Sequence, residues 1–262
     1  MLRYSKIFVF LICLWPLCSI IYQLFNNKLG AEPVDKIINH FGEWTLIFIF
    51  LTLSMSPLKR ITNSTVWIKF RRMLGLFVFL LCLWPLYSII YGIFYNNLGA
   101  EPVDKIINHF GEWTLIFIFL TLSMTPLRKI TNSIEWIKFR RMLGLFAFFY
   151  ATIHMLSYVG LDYRFDFEPL INDVLKKKFV FIGFSAWLLL IPLAITSSDK
   201  MVKLLKQNWK KLHRLIYVIS IFGVLHFIWL SKTIFFKPLI FLVILIILLL
   251  FRVSFRRSSS KV

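Results

Sequence analysis

The feature that most constrains this chain is a succession of long runs that carry almost no charge. They are residues 7–25, 44–58, 74–95, 113–127, 143–161, 179–197, 215–230 and 238–251. Runs near 20 residues match the hydrocarbon thickness of a bilayer when helical, and flanking residues such as His40–Glu43 extend the shorter ones. Backbone amides in lipid must be satisfied within their own segment, so the runs are expected to be helices. Eight spans follow. Composition agrees: 59% of the 262 residues are hydrophobic and 16% charged, with a mean hydropathy of +0.76. A soluble domain of this length could not bury so much apolar side chain.

The net charge of +19 raises the question of nucleic acid. Its distribution answers it. If the N-terminus is inside and the spans alternate, 22 of the 31 Lys and Arg residues fall in inner segments beside only two acids, Glu135 and Asp199. The outer segments hold the remaining ten acids. That is the positive-inside pattern, with both termini cytoplasmic, and no soluble basic module is present to bind nucleic acid. Cys13, Cys18 and Cys82 lie inside expected spans, show no metal-type spacing, and read as small apolar packing residues. The first run follows Arg3 and Lys6 without a small-residue cleavage site, so it is expected to be a retained helix.

The chain also repeats itself. Gly30–Met55 recurs unchanged as Gly99–Met124, and similarity extends outward from Cys13/Cys82 to Phe77/Phe146. Each copy holds two spans, so the copies share an orientation and do not form an inverted transporter repeat. After Arg140–Phe146 the second copy continues into AFFYATIHMLSY, which occurs once. The expected organisation is therefore a duplicated helix pair over 1–73, a six-helix domain over 74–254, and a basic tail over 255–262.

Five histidines carry the chemistry on offer. His40 and His109 are copies of one position beside Glu43 and Glu112, at the outer mouth of a helix, where a polar residue is inexpensive. His154 and His226 lie inside apolar runs, where an ionisable residue is costly and calls for a function. His154 stands about 18 Å along an outward-rising helix from Met142, and His226 about 20 Å from His213. Matching depth on parallel helices suits coordination of one metal from two sides, as in a bis-histidine b-type haem. A hydrogen-bonded histidine pair or proton relay suits the same spacing. His213, among Lys210, Lys211 and Arg214, points roughly 140° away from His226 around an ideal helix. Arg141 occupies the position where a partner for a second pair would stand, so His213 is either a rim residue or part of a cofactor site with a different partner.

Five pieces then carry a resemblance. They are LGAEPVDKIINHFGEW (Leu98–Trp113), RRMLGL (Arg140–Leu145), ATIHMLSY (Ala151–Tyr158), SSDKMVKLLKQNWKKLHRLIYV (Ser197–Val218) and LHFIW (Leu225–Trp229). In this order they resemble the MsrQ (YedZ) family, haem-binding membrane subunits of periplasmic protein-methionine-sulfoxide reductase systems, within the ferric-reductase-like transmembrane group. The resemblance implies an all-α integral membrane protein of the bacterial inner membrane: a six-helix haem-binding bundle, here preceded by the extra pair. It implies electron transfer from the quinone pool, or from a flavin, through b-type haem (heme b) to a periplasmic molybdenum-containing reductase subunit. By position, His154 and His226 match the family's principal haem ligands and His213 a third histidine near the haem. FMN is also associated with the family, although no flavin fingerprint stands in this sequence. The family pattern lacks residues 1–73. The outer acids Asp162, Asp166, Glu168 and Asp173 read as solvated charge, with docking of the reductase partner as the alternative. Two other functions compete. One is a ferric or other metal reductase, which normally needs two haems and a cytoplasmic nucleotide–flavin domain. The other is a non-redox transporter or scaffold, with the histidines in a relay.

Overall fold

The computed structural model describes residues 82–95, 98–131, 136–231 and 236–258, together with scattered positions between 15 and 62. The described residues are almost wholly helical and contain no strand. The helices are α1 (Trp84–Phe94), α2 (Pro102–Thr131), α3 (Trp136–Ser157), α4 (Phe167–Lys176), α5 (Lys178–Ile195), α6 (Asp199–Leu212), α7 (Leu215–Leu230) and α8 (Phe236–Ser258). A π-helical turn, Tyr158–Asp162, extends α3. The chain forms two compact units, Met1–Pro102 and Val103–Val262.

Among the described residues three helical segments are long and apolar enough to cross a membrane: Pro102–Ile130, Phe139–Asp162 and Lys178–Ile195. α6 and α7 add a fourth if taken together, bent by 49° at their junction. The all-α membrane bundle expected from the charge-free runs is thus what forms. The first two expected spans, and the start of the third, lie largely outside the described residues.

Within the first unit, Ser19 Oγ lies 2.9 Å from His40 Nε2. Leu98 folds back on α1, where a Cβ on Gly92 would meet its Cδ2 at 2.7 Å.

Within the second unit, the most extensive pairing is α5 with α7; α3 and α4 pack on α5, and α8 on α7. Rings join α2 to α3: Phe117 and Tyr150, both fully buried, stack 5.3 Å apart with Phe146 and Phe110 on either side. Helix hydroxyls are satisfied by their own preceding turn, as in Thr121 to the Phe117 carbonyl (2.7 Å) and Thr152 to that of Phe148 (2.8 Å). On α8, Ile240, Val243, Ile244 and Ile247 face outward while Leu245 is buried. An outward face made of isoleucine and valine suits lipid rather than water.

Two segments expected as connections are helices. The segment after Asp162 folds as α4, with the Asp166 side chain accepting from the Glu168 amide at 3.3 Å. The segment after Ser197 folds as α6, with Ser198 accepting from the Met201 amide at 3.3 Å. Both are short and amphipathic, a pattern hidden between longer apolar runs.

Candidate haem-type site

α3 carries His154 four residues before its π-helical extension, and α7 carries His226 near its C-terminal end. The bundle brings the two rings together. Their centroids are 6.1 Å apart and their planes nearly perpendicular, at 77°.

Each ring is held by an equivalent device. His154 Nδ1 donates to the Ile107 carbonyl of α2 at 2.9 Å, and His226 Nδ1 donates to the Phe179 carbonyl of α5 at 2.8 Å. Both acceptors precede their histidine by 47 residues. One helical turn beyond each acceptor stands a glycine that makes room for the ring. A Cβ on Gly111 would lie 3.0 Å from His154 Cε1, and one on Gly183 would lie 2.7 Å from His226 Nδ1. The site is thus built as two like halves, α2 with α3 and α5 with α7. A third close approach, Gly223 of α7 against Leu115 of α2, where a Cβ would come within 2.8 Å, draws the halves together.

The rings face a cavity of about 890 Å³ walled by α2, α3, α5 and α7, within the range of cofactor sites. Leu115, Ile118, Ala186, Leu190 and Ile219 make its walls apolar, and Phe167, Leu170, Ile171 and Val174 of α4 line it as well. Tyr158 and Trp187 also border it, and the Trp187 indole donates to Thr152 Oγ1 at 3.1 Å.

The donor set can be tested against a metal cofactor. With both Nδ1–H groups given to carbonyls, each neutral ring keeps its lone pair on Nε2, and two acceptors do not hydrogen-bond to each other. A metal–imidazole bond is about 2 Å. One ion shared by two rings therefore sets the ring centres roughly 6 Å apart once the ring radii are added. The observed separation agrees. Among the described residues no group of three or more His, Cys, Asp or Glu side chains could hold an ion alone. Two protein nitrogens in an apolar cavity fit a metal whose other ligands arrive with it, as in a haem, and do not fit a bare zinc ion.

His213 stands elsewhere. It caps the C-terminus of α6, stacks on Trp209 at 3.9 Å, and gives Nδ1–H to the Trp209 carbonyl at 3.1 Å. Its Nε2 is buried, and the Leu193 carbonyl is a second backbone neighbour of the ring. It lines a second cavity with Arg140 and Arg141, and the structure does not bring it to His154 and His226. His109 contacts Phe110 and Trp113 and does not line the first cavity.

Sequence reasoning missed the carbonyls of Ile107 and Phe179, the two glycines, and a chain of polar groups at the α4 lip of the cavity. There Tyr158 and Tyr163 hydroxyls lie 3.1 Å apart, Tyr163 donates to the Asp173 carboxylate, and Lys177 pairs with the same carboxylate. The signal for the glycines was available, since Gly111 and Gly183 each stand 43 residues before a histidine.

Comparison with known proteins places this geometry in a family. Residues 110–224 match the family described as ferric reductase like transmembrane component. The protein-methionine-sulfoxide reductase heme-binding subunit MsrQ of Xanthomonas euvesicatoria pv. vesicatoria (strain 85-10) is 46% identical over 170 residues, covering 63% of this chain and 78% of that protein. The protein of the same name from Herminiimonas arsenicoxydans is 46% identical over 172 residues, with 63% and 79% covered. That from Xanthomonas axonopodis pv. citri (strain 306) is 47% identical over 166 residues, with 63% and 76% covered. No solved structure matches the chain. With identity at this level over more than three quarters of each relative, the chain belongs to the MsrQ family of ferric-reductase-like membrane proteins.

Proposed function

We propose that this protein is a membrane electron-transfer subunit. It binds one b-type haem between His154 and His226, and passes electrons to a methionine-sulfoxide reductase catalytic subunit. The observation that carries this reading is the pairing of the two rings, 6.1 Å apart, with both Nδ1 groups occupied by backbone carbonyls. A proton relay would need a donor on one of the facing nitrogens, and the bonding at Nδ1 removes it from both neutral rings. The relatives' name, heme-binding subunit, supports the same assignment.

Bound there, haem iron supplies reversible one-electron exchange. The chain supplies the rest. The Ile107 and Phe179 carbonyls fix the imidazole tautomer and raise the basicity of each Nε2. Gly111 and Gly183 allow each ring to sit against a neighbouring helix. The apolar walls exclude water, which favours the less charged state of the site. No nucleophile or acid–base group is assigned, because no bond is made here.

Positive-inside charge supports N-in and C-in topology in a bacterial inner membrane, with the paired histidines in the outer half. That placement suits delivery to a periplasmic, molybdenum-containing partner. The donor is the quinone pool or a flavin such as FMN, on the inner side, where His213 stands apart from the paired histidines. The six-helix domain is residues 74–254.

The test is a reduced-minus-oxidised visible spectrum of the purified protein beside His154→Ala and His226→Ala. A b-type spectrum that collapses in both substitutions is expected. Normal expression with no haem bands in the parent protein would sink the reading.

A further inference from the structure

A second cavity, of about 410 Å³, lies toward the N-terminal end of α3. Arg140 is 14 residues before His154, or about 21 Å along the helix. Met124, Leu190, Leu193 and Ile216 make part of its wall apolar. Its cations come from five places in the chain: Arg128 of α2, Arg140 and Arg141 of α3, Lys210 of α6, Arg214 before α7, and Arg252 of α8. No acidic residue is among the described residues that line it. Arg141 is committed to Asp199, but Arg140 and Arg252 have no carboxylate partner among the described residues. Arg252 is exposed and lies over the Tyr217 ring at 5.8 Å, while Arg140 is half-buried.

The positive-inside pattern accounts for cations along connecting segments, where water separates and screens them. It does not require six of them to border one hollow with two, Arg140 and Arg141, half-buried side by side, where like charges repel. An anion resolves that repulsion. Cations above an apolar wall complement a phosphate ester on an apolar tail.

α6 points to the source of the phosphate. It carries Lys200, Lys203 and Lys211 with an exposed Leu204, and Trp209 anchors it by donating to the Thr196 carbonyl at 2.8 Å. Lys206 breaks α6 with a left-handed φ of 48°, and the short basic amphipathic pieces on either side of it suit headgroup level. His213 also lines the cavity, but its ring is engaged by the backbone carbonyls of Trp209 and Leu193.

We propose that this cavity binds the phosphate of an anionic phospholipid from the adjoining leaflet, held chiefly by Arg140 and Arg252. The bound headgroup ties α8 to α3. The proposal does not rest on the haem reading, and lipid retention is measured independently of any haem band.

The full-length protein is delipidated in detergent and offered phosphatidylglycerol or phosphatidylcholine of identical chains, with retention read by native mass spectrometry. Phosphatidylglycerol is expected to be retained at least about tenfold better. Arg140→Gln with Arg252→Gln abolishes the preference, while Arg140→Lys with Arg252→Lys keeps most of it. Arg252→Gln alone, at the end of the last helix, serves if the double variant does not elute as the parent does. Equal retention of the two lipids, or a preference that survives the Gln substitutions, overturns the proposal. Millimolar inorganic phosphate that displaces the lipid completely would identify a soluble phosphate compound as the occupant and overturn the lipid assignment.

Discussion

At the scale of single residues, the site depends on what two glycines leave out. Gly183 faces His226 so closely that an added methyl would meet Nδ1 at 2.7 Å, the atom that donates to Phe179. The ring is fixed on one side by that bond and has nowhere to retreat without breaking it. Gly111 is less tight, since its methyl would first meet Cε1 of His154 at 3.0 Å. Gly183→Ala is therefore expected to lose most of the bound haem, and Gly111→Ala to retain a larger share with altered bands. The haem-to-protein ratio and visible spectrum of each variant check this. Two unaltered spectra would show that the rings have more room than their contacts with Gly111 and Gly183 imply. Gly144, by contrast, would place a methyl 3.8 Å from Thr121, ordinary contact, and its substitution should be nearly silent.

At the scale of elements, α4 is the segment most sensitive to conditions. It is bounded by the left-handed backbone of Arg164 (φ 48°) and Phe165 (φ 63°) at one end and by the single extended residue Lys177 at the other. No residue of α4 is buried, and its apolar side chains line the cavity. Asp173 ties it to the end of the α3 span. The Lys177 ammonium, and then the Tyr163 hydroxyl, hold the Asp173 carboxyl below its ordinary pKa. Burial, followed by the bond to Asp173, pushes the Tyr163 phenol up, so it remains a neutral donor. A carboxylate depressed on folding contributes stability that is present above its unfolded pKa and lost as pH falls through its folded pKa. The α4 amides are therefore expected to show high protection, measured as exchange relative to the intrinsic rate at each pH, near neutrality, and lower protection as pH falls below the usual carboxylate range. Asp173→Asn should remove that dependence. Protection in the parent protein that stays constant across the acid range would remove Asp173 as the fastening.

At the scale of the whole molecule, every described residue lining the paired-histidine cavity lies at or after Asp104, in the second compact unit. The relatives align with 63% of the chain. A chain beginning at Leu74 is therefore expected to show the same haem spectrum as the full protein. Loss of the spectrum in a well-expressed, monodisperse truncation would assign residues 1–73 a part in the site. The sequence by itself determined the membrane class, because lipid demands long charge-free helices and their ends show as breaks in hydropathy. It also determined that His154 and His226 lie at matching depth, because each helical residue advances the chain by the same rise. What it left open was direction around each helix. A helix in water shows its buried stripe as a polar–apolar period, but these helices are apolar on nearly every side, so the period is erased. Which carbonyl takes each Nδ1–H, which glycine faces each ring, and which arginines converge on one hollow are matters of azimuth and neighbour. Only the packing of the helices against one another decided them.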